Sequence, residues 1–208
     1  QKEVISTVTH VEVDGNDPAF KNPTKPVGQF FLKEEADLLA KANGWQFRED
    51  PRKRGWRRVV PSPKPLRVRS AEIVKQLTHE GNIVICVGGG GIPVVLDGNG
   101  SIKGIEAVID KDLASAVLAT QIDADELIIL TDIPNAYLNF QKENEIALES
   151  ITLEEAEEHI KKGEFAAGSM GPKMEAAVYF IKKGGNKSVI TEAGSLSNAN
   201  SGTRIIAN

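Results

Sequence analysis

The chain has 208 residues, of which 40% are hydrophobic and 26% are charged, and its formal net charge is -4. This length and composition are typical of a globular protein with one or two domains. The acidic balance argues against a general binder of nucleic acid or membrane surfaces, and no apolar run is long enough for a membrane span. The single cysteine, Cys86, excludes an internal disulfide. We therefore expect a reducing, cytoplasmic setting and a buried thiol.

The first 66 residues differ in character from the remainder. Residues 4–13 are strand-like, and because a domain rarely opens in mid-strand, we expect the sequence to be a piece of a longer protein. Residues 14–66 are rich in proline, glycine and basic residues, with one predicted helix at 33–43. Trp45, Trp56 and several phenylalanines supply enough apolar surface for a minor core. We predict a small protruding subdomain, or lid, with a stiff proline-rich return near residues 61–65.

Strands and helices alternate from residue 67 onwards. Apolar runs bounded by turn signals predict buried parallel strands at 83–87, 127–130 and 188–190, and a short final strand at 202–206. Helical patterns occupy 70–79, 111–121, 152–161 and 172–182. This order indicates an α/β layer fold with a parallel sheet.

Two lysines fall at helix starts, where a cation is unfavourable. Asp110 is suited to cap the helix that begins at Lys111, and Gly171-Pro172 opens the helix that contains Lys173. A helix N-terminus already attracts anions, so two added cations suggest half of a polyphosphate clamp. Asp112 would hold the lysine ammonium groups in place. The alternative is that both are ordinary surface lysines.

Two loops that follow predicted strands are further candidates for ligand binding. Residues 88–91 are four glycines that can present backbone N–H groups to oxygen atoms, but they match neither a dinucleotide fingerprint nor a P-loop. The alternative is a tight turn at a sheet edge. Residues 130–137 begin at the carboxyl end of a strand, where ligands of open α/β sheets bind. Thr131, Asp132 and Tyr137 could meet a base or ribose, or form only a helix cap and turn.

Two other functions are less well supported by the sequence. Nine basic residues lie between Arg48 and Arg69 with Trp56 among them, a composition compatible with RNA binding. The acidic remainder of the chain and the interrupting prolines favour a solvated lid face instead. Three scattered histidines and one cysteine lack the spacing of zinc ligands.

Five segments together resemble carbamate kinases of the amino-acid-kinase superfamily. They are residues 22–28, 54–63, 88–93, 108–115 and 168–173, in the order and with the spacing of that family. The segment that ends at Lys173 resembles the wider superfamily, whereas the first two segments are particular to carbamate kinases. Gln29 departs from the family pattern, in which proline is usual, and we expect little consequence.

The resemblance implies a three-layer αβα sandwich on a mostly parallel sheet, a protruding lid and a homodimer. It implies reversible phosphoryl transfer between ATP and carbamate, or carbamoyl phosphate and ADP, with Mg²⁺. Lys25 would reach the carbamoyl phosphate from the lid, Lys111 and Lys173 would flank the transferred phosphoryl group, and Asp112 would orient them. No protein residue is assigned to the metal. The residues expected to bind ATP are Gly88, Gly89, Gly90, Thr131, Asp132, Tyr137, Met170 and Gly171.

Carbamate kinases also begin with a strand and a Gly-Gly-Asn-Ala loop, and later carry a His-Gly-Asn-Gly-Pro segment. Neither occurs in these 208 residues. We expect residues 1–13 to be a strand of a truncated N-terminal substrate-binding portion, 14–66 the lid, and 67–208 the nucleotide-binding α/β domain. Two alternatives stay open: another small-acid or nucleotide kinase of the superfamily, or a nucleotide-binding module without catalysis.

Overall fold

The computed structural model describes residues 2–166, 168–198 and 200–207. The helices in this part are α1 (Lys33–Asn43), α2 (Ala71–His79), α3 (Lys111–Gln121), α4 (Leu153–Lys161) and α5 (Met170–Lys182). The strands are β1 (Val4–Ser6), β2 (His10–Val13), β3 (Lys25–Phe31), β4 (Gln46–Glu49), β5 (Trp56–Val60), β6 (Pro65–Val68), β7 (Ile83–Ile85), β8 (Ile92–Leu96), β9 (Ile102–Gly104), β10 (Glu126–Thr131), β11 (Ala136–Leu138), β12 (Ile146–Leu148), β13 (Ser150–Thr152), β14 (Lys187–Glu192) and β15 (Thr203–Ile206). None of the described helices is both long and apolar enough to cross a bilayer.

Parallel strand pairs form the centre of the α/β fold. β10 pairs with β14, β13 with β15, β1 with β7, and β2 with β8, all in parallel. Two four-stranded sheets result, with the orders β10-β14-β15-β13 and β6-β2-β8-β9. Antiparallel pairs occur in hairpins and between β14 and β15. The chain therefore has the expected α/β architecture, with antiparallel strands added to it.

Helix α3 lies between two hydrophobic cores. One core packs α5 against β10, β14 and β15, and Met174 and Phe180 are almost fully buried in it. The other joins β2, β6 and α2 to the same helix. On α3, Ala116 belongs to the first core, while Ala114 and Val117 belong to the second. Since both cores contain α3 side chains, its position is fixed from two sides.

A separate antiparallel sheet, which we call the lid sheet, has the order β3-β5-β4 and packs against α1. The rings of Phe31 and Phe47 meet edge to face, with 5.6 Å between their centroids. The guanidinium group of Arg58 lies 4.0 Å from the centre of the Trp45 ring. These contacts give the lid sheet a small core of its own. The division of the chain into domains remains a prediction.

Acidic and aromatic groups engage several basic residues of the lid sheet. Arg54 pairs with Asp50 at 2.9 Å, and its hydrogen bond is the main reason that the pKa of Asp50 falls to about 2. Arg58 pairs with Glu106, outside the lid sheet. These contacts favour the solvated lid face over an RNA-binding surface.

Helix α5 begins at Met170, two residues before the predicted start at Pro172. The N–H of Gly171 donates to the carbonyl oxygen of Ala166 at 2.9 Å, which extends the first turn backwards. Proline is tolerated as the third residue because the first four N–H groups of a helix have no acceptor within the helix. The prediction that proline opens this helix is therefore wrong by two residues.

The predicted burial of two strands is also wrong. Ile83 and Ile85 of β7 and Ile128 and Leu130 of β10 are 45–55% exposed, because one face of each strand is open to solvent in the described part of the chain. Cys86, which follows β7, is half-buried rather than buried, and this partial burial raises the pKa of its thiol.

Candidate functional site

The N-terminal end of α3 presents a lysine that has no counter-ion among the described residues. Asp110 caps the helix, its Oδ1 accepting the N–H groups of Asp112 at 2.9 Å and Leu113 at 3.4 Å. Lys111 is then the first helical residue, and its side chain is exposed. Within the described residues its ammonium group has no hydrogen-bond or ion-pair partner. The helix dipole adds to this positive charge, so the helix end is suited to bind an anion.

Lys173 joins α5 to the same helix end. It is the fourth residue of α5 and only 9% exposed, and its Nζ lies 3.0 Å from Oδ2 of Asp112. Helical side chains lean towards the N-terminus of their helix, which directs this lysine back to the first turn of α3. We expected Asp112 to hold both lysines. The structure places its carboxylate against Lys173, while Lys111 faces a cavity.

Lys25 reaches the site from the lid sheet. Its Nζ donates to Oδ2 of Asp110 at 2.8 Å, so the capping carboxylate binds a helix end with one oxygen and a lysine with the other. Burial raises the pKa of Asp110, but the hydrogen bond and charge of Lys25, with the two backbone N–H donors, outweigh it. The pKa of Asp110 is therefore below its ordinary value.

A cavity of about 320 Å³ lies beside these charges. Lys111, Asp112 and Ser115 of α3 line one side, and Gly88 and Gly89 line another. Four consecutive residues of β10, 127–130, complete the wall. Successive side chains of a strand point to opposite faces, so a wall of four consecutive residues means that the cavity runs along the edge of β10.

The glycine turn, residues 88–91, has a structural half and an open half. A Cβ on Gly90 would lie 2.2 Å from the carbonyl oxygen of Ile109, so this glycine is needed for the close approach of the segment that leads into α3. Gly88 and Gly89 are exposed, with open space where a side chain would stand. The N–H groups of Gly90 and Gly91 donate within the turn. Gly88 and Gly89 are thus the candidates for ligand contacts.

The other predicted ATP-binding residues do not line this cavity. Thr131 ends β10, and its hydroxyl donates to Oδ1 of Asp132 at 3.2 Å. Tyr137, on β11, packs against Phe140 with 5.7 Å between ring centroids. Met170 is buried at the beginning of α5, next to Gly171 in the same turn. These five residues end or follow β10 or begin α5, and their assignment to ATP remains a prediction.

A larger cavity, of about 460 Å³, lies between α3, α4 and α5. Leu113, Val117 and Ile160 are among its lining residues, and none of the candidate residues is. We place the functional site at the smaller cavity because Lys111, Asp112 and the open glycines line it. Lys25 and Lys173 do not line it and are connected to it through Asp110 and Asp112.

Sequence reasoning missed three contributors to the site. Asp110 was predicted as a helix cap but not as the partner of Lys25, which lies 85 residues away. Thr9, buried to 3% exposure, accepts the N–H of Val87 at 3.1 Å and so supports the strand end from which the glycine turn starts. Ser115 lines the cavity one helical turn after Lys111. The first two contacts join distant segments, which local patterns do not reveal.

Sequence comparisons identify the family to which the chain is related. The sequence profile of the Amino acid kinase family matches residues 31–192. The carbamate kinase of Pyrococcus horikoshii is 52% identical over 190 residues, which are 91% of this chain and 60% of that protein. The carbamate kinase of Thermoplasma acidophilum is 49% identical over 205 residues, 97% of this chain and 65% of that protein. The chain therefore spans about 60–65% of the length of these curated relatives.

A solved structure shows the same fold. The structure of carbamate kinase from Giardia lamblia bound to AMP-PNP superposes with a TM-score of 0.87 at 47% identity, covering 100% of this chain and 66% of that one.

Proposed function

Because the chain belongs to the amino acid kinase family, we propose that it carries the phosphate-binding part of a carbamate kinase. One observation carries this proposal: Asp112, which is paired with the mostly buried Lys173, lines the same cavity as Lys111, whose ammonium group has no partner among the described residues. About half of the residues are identical to those of proteins named carbamate kinase, which supports carbamate as the acceptor. The proposed reaction is reversible phosphoryl transfer between ATP and carbamate.

In the direction of ATP consumption, a carbamate oxygen attacks the γ-phosphorus as the bond to the β–γ bridging oxygen breaks. The products are carbamoyl phosphate and ADP. No base is needed, since carbamate is already an anion. Catalysis depends on in-line placement and on positive charge around the equatorial oxygens of the phosphoryl group. Lys111 and Lys173 would supply that charge, and Lys25 would approach from the acceptor side.

Asp112 has a positioning role in this mechanism. Its carboxylate fixes the ammonium group of Lys173, whose side chain is only 11% exposed, without touching the substrate itself. A lysine held in this way needs little rearrangement when the phosphate arrives. Gly88 and Gly89 would donate N–H groups to phosphate oxygens, whereas the buried Gly90 has a packing role that requires no ligand.

The nucleoside part of ATP is assigned to the segments around Thr131, Asp132, Tyr137, Met170 and Gly171. Support comes from the Giardia lamblia relative, which is described as bound to AMP-PNP and superposes over the whole chain. These residues end or follow β10 or begin α5, and both the carboxyl end of a strand and the beginning of a helix favour nucleotide binding in an α/β fold.

Mg²⁺ would enter as part of the nucleotide substrate. Among the described residues, no three His, Cys, Asp or Glu side chains come together as a metal site. Asp110 and Asp112 are both engaged with lysines. A magnesium cage made by the protein alone does not fit this arrangement, whereas Mg²⁺ held mainly by phosphate oxygens and water does.

The remaining assignments follow from the same resemblance. The proposed division is a strand of the substrate-binding portion at 1–13, the lid at 14–66, and the nucleotide-binding domain at 67–208. We propose a homodimer in the cytoplasm for the whole protein. The chain spans about 60–65% of the length of its relatives, so contacts to carbamate beyond Lys25 would come from polypeptide that these relatives contain and this chain does not.

The test is ATP formation from ADP and carbamoyl phosphate, measured with luciferase, alongside ADP release with carbamate, N-acetylglutamate or UMP as acceptor. In the whole protein that contains this chain, we expect turnover with the carbamate pair alone. Turnover with another acceptor would replace the proposal by a different kinase of the family. ADP binding by calorimetry without any phosphoryl transfer would indicate a nucleotide-binding module.

A further inference from the structure

One segment, residues 105–110, contacts the lid sheet and leads into helix α3. Glu106 pairs with Arg58 of β5, the N–H of Val108 donates to the carbonyl oxygen of Pro61 at 3.0 Å, and Asp110 accepts from Lys25 of β3 at 2.8 Å. The three contacts fall at every second residue of the segment. The lid sheet is therefore docked along one edge of the segment that ends at the helix cap.

The Lys25–Asp110 contact is more buried than the Arg58–Glu106 contact. The Arg58–Glu106 pair is solvated, with a Glu106 side chain that is 71% exposed, and such pairs contribute little. The Asp110 side chain is only 13% exposed, and both of its oxygens have partners. A charge-assisted hydrogen bond at a mostly buried carboxylate is stronger and better defined in direction. Asp110 is the contact that ties Lys25 to the first turn of α3.

We propose that Asp110 is a positioning residue, which holds the ammonium group of Lys25 at the N-terminal end of α3 so that lid and helix present their lysines to the same anion. Oδ1 of Asp110 fixes the turn on which Lys111 stands, and Oδ2 fixes Lys25. Asp112, two residues later, fixes Lys173. Asp110 and Asp112, the neighbours of Lys111 in the sequence, thus each hold a lysine that comes from a distant element. The inference deepens the proposed function and depends on it for its catalytic consequence.

Asp110→Asn separates the two tasks of this side chain. Asparagine is as good a helix cap as aspartate, so α3 should keep its start, but the amide cannot form the ion pair with Lys25. Lys25→Met removes the same contact from the other side. Glu106→Gln is the matched control, because it breaks a contact between the lid sheet and the same segment without touching Lys25.

The first readout is amide hydrogen exchange in the 208-residue chain. In Asp110→Asn and in Lys25→Met, exchange at the amides of residues 25, 27 and 28 should accelerate by about tenfold, the size expected for one lost charge-assisted hydrogen bond. The double variant should exchange no faster than either single variant, and Glu106→Gln should stay within about twofold of wild type. Unchanged exchange in Asp110→Asn, or additive effects in the double variant, would overturn the proposal.

The second readout is ATP formation from ADP and carbamoyl phosphate by the whole protein that contains this chain. Asp110→Asn should lower kcat by about tenfold while the KM for ADP stays constant, because the lysine that it misplaces serves the acceptor side. Equal kcat in an active wild type and in Asp110→Asn would contradict the positioning role. A wild type that binds ADP but gives no turnover would contradict the proposed function instead, and hydrogen exchange would still decide whether Asp110 holds Lys25.

Discussion

Lys173 and Asp112 form an ion pair in which neither side chain is more than 13% exposed, with 3.0 Å between Nζ and Oδ2. The pair joins the first turns of α5 and α3, which are 61 residues apart in the chain. Removing one member of such a pair leaves the other buried without a counter-charge, which costs more than the intact pair contributes. Its loss should therefore affect stability as well as catalysis.

Lys173→Met is expected to lower the free energy of unfolding by about 2 kcal/mol, somewhat less than for a fully buried pair because a tenth of each side chain is exposed. Turnover should fall by orders of magnitude. Urea unfolding of Lys173→Met and of the double variant with Asp112→Asn gives the check. The double variant should recover part of the lost stability, since no charge is left unpaired. A single variant as stable as wild type would contradict the buried pair.

Lys111→Ala, unlike Lys173→Met, should lower activity without lowering stability. The side chain is exposed and has no partner among the described residues, and a cation is unfavourable at a helix N-terminus. We expect unchanged or slightly higher stability, by up to about 0.5 kcal/mol, and a turnover reduced by about 100-fold. Thermal unfolding and the ATP-forming assay test both parts. Lys103→Ala, an exposed lysine in β9, is the control that should alter neither.

The lowered pKa of Asp110 makes its contribution to stability dependent on pH. Its ionised form is favoured by folding, so the contribution is complete above the unfolded-state pKa of about 3.9. It is lost as the pH falls through the lower folded-state pKa. The stability difference between wild type and Asp110→Asn should therefore be constant near neutrality and shrink below about pH 4. Urea unfolding between pH 7 and pH 2.5 measures it, and a difference that grows in acid would contradict the assignment.

Gly90→Ala should destabilise the fold, whereas Gly88→Ala should not. At Gly90 the backbone φ is +106° and a Cβ would lie 2.2 Å from the carbonyl oxygen of Ile109, so we expect a loss of about 3 kcal/mol. Gly88 has open space and no positive φ, and its replacement should cost within about 0.5 kcal/mol. Denaturant unfolding of both variants provides the comparison. Equal losses would show that the glycine turn is packed differently.

The free edge of β10 should promote self-association. Ile128 and Leu130 are 48% and 45% exposed on a strand that pairs, among the described strands, with β14 alone. An unpaired apolar edge is a template for another strand. Ile128→Lys should reduce the growth of apparent mass with concentration in light scattering. Leu38→Lys, which changes an exposed leucine on α1, should leave that growth unaltered.

The helices that were predicted best are those with local signals. The bounds of α1 and α3 agree with the predicted 33–43 and 111–121. The signals for these helices are local: an amphipathic pattern within each helix and, for α3, the Asp110 cap directly before it. The start of α5 was missed because its first turn depends on a hydrogen bond between Gly171 and Ala166, not on proline. The exposed faces of β7 and β10 were missed because an apolar run predicts a buried strand. The sequence does not show whether another element of the fold covers both faces of that strand.

In the candidate site too, local sequence signals identified residues but did not identify their partners. Lys111 and Lys173 could be found from sequence because a lysine at a helix start conflicts with the helix dipole, and the conflict is visible locally. The choice of partners could not be found. Lys25 and Asp110 are 85 residues apart, and only the fold decides that Asp112 binds Lys173 while Lys111 stays free.

The placement of α3 between two cores has a consequence for catalysis. Ala116 packs into one core, while Ala114 and Val117 pack into the other. Moving the first turn of this helix would therefore disturb both cores at once. The positive charges attached to that turn are preorganised. Their positions are fixed when the protein folds, so little reorganisation is needed when a phosphoryl group passes between donor and acceptor.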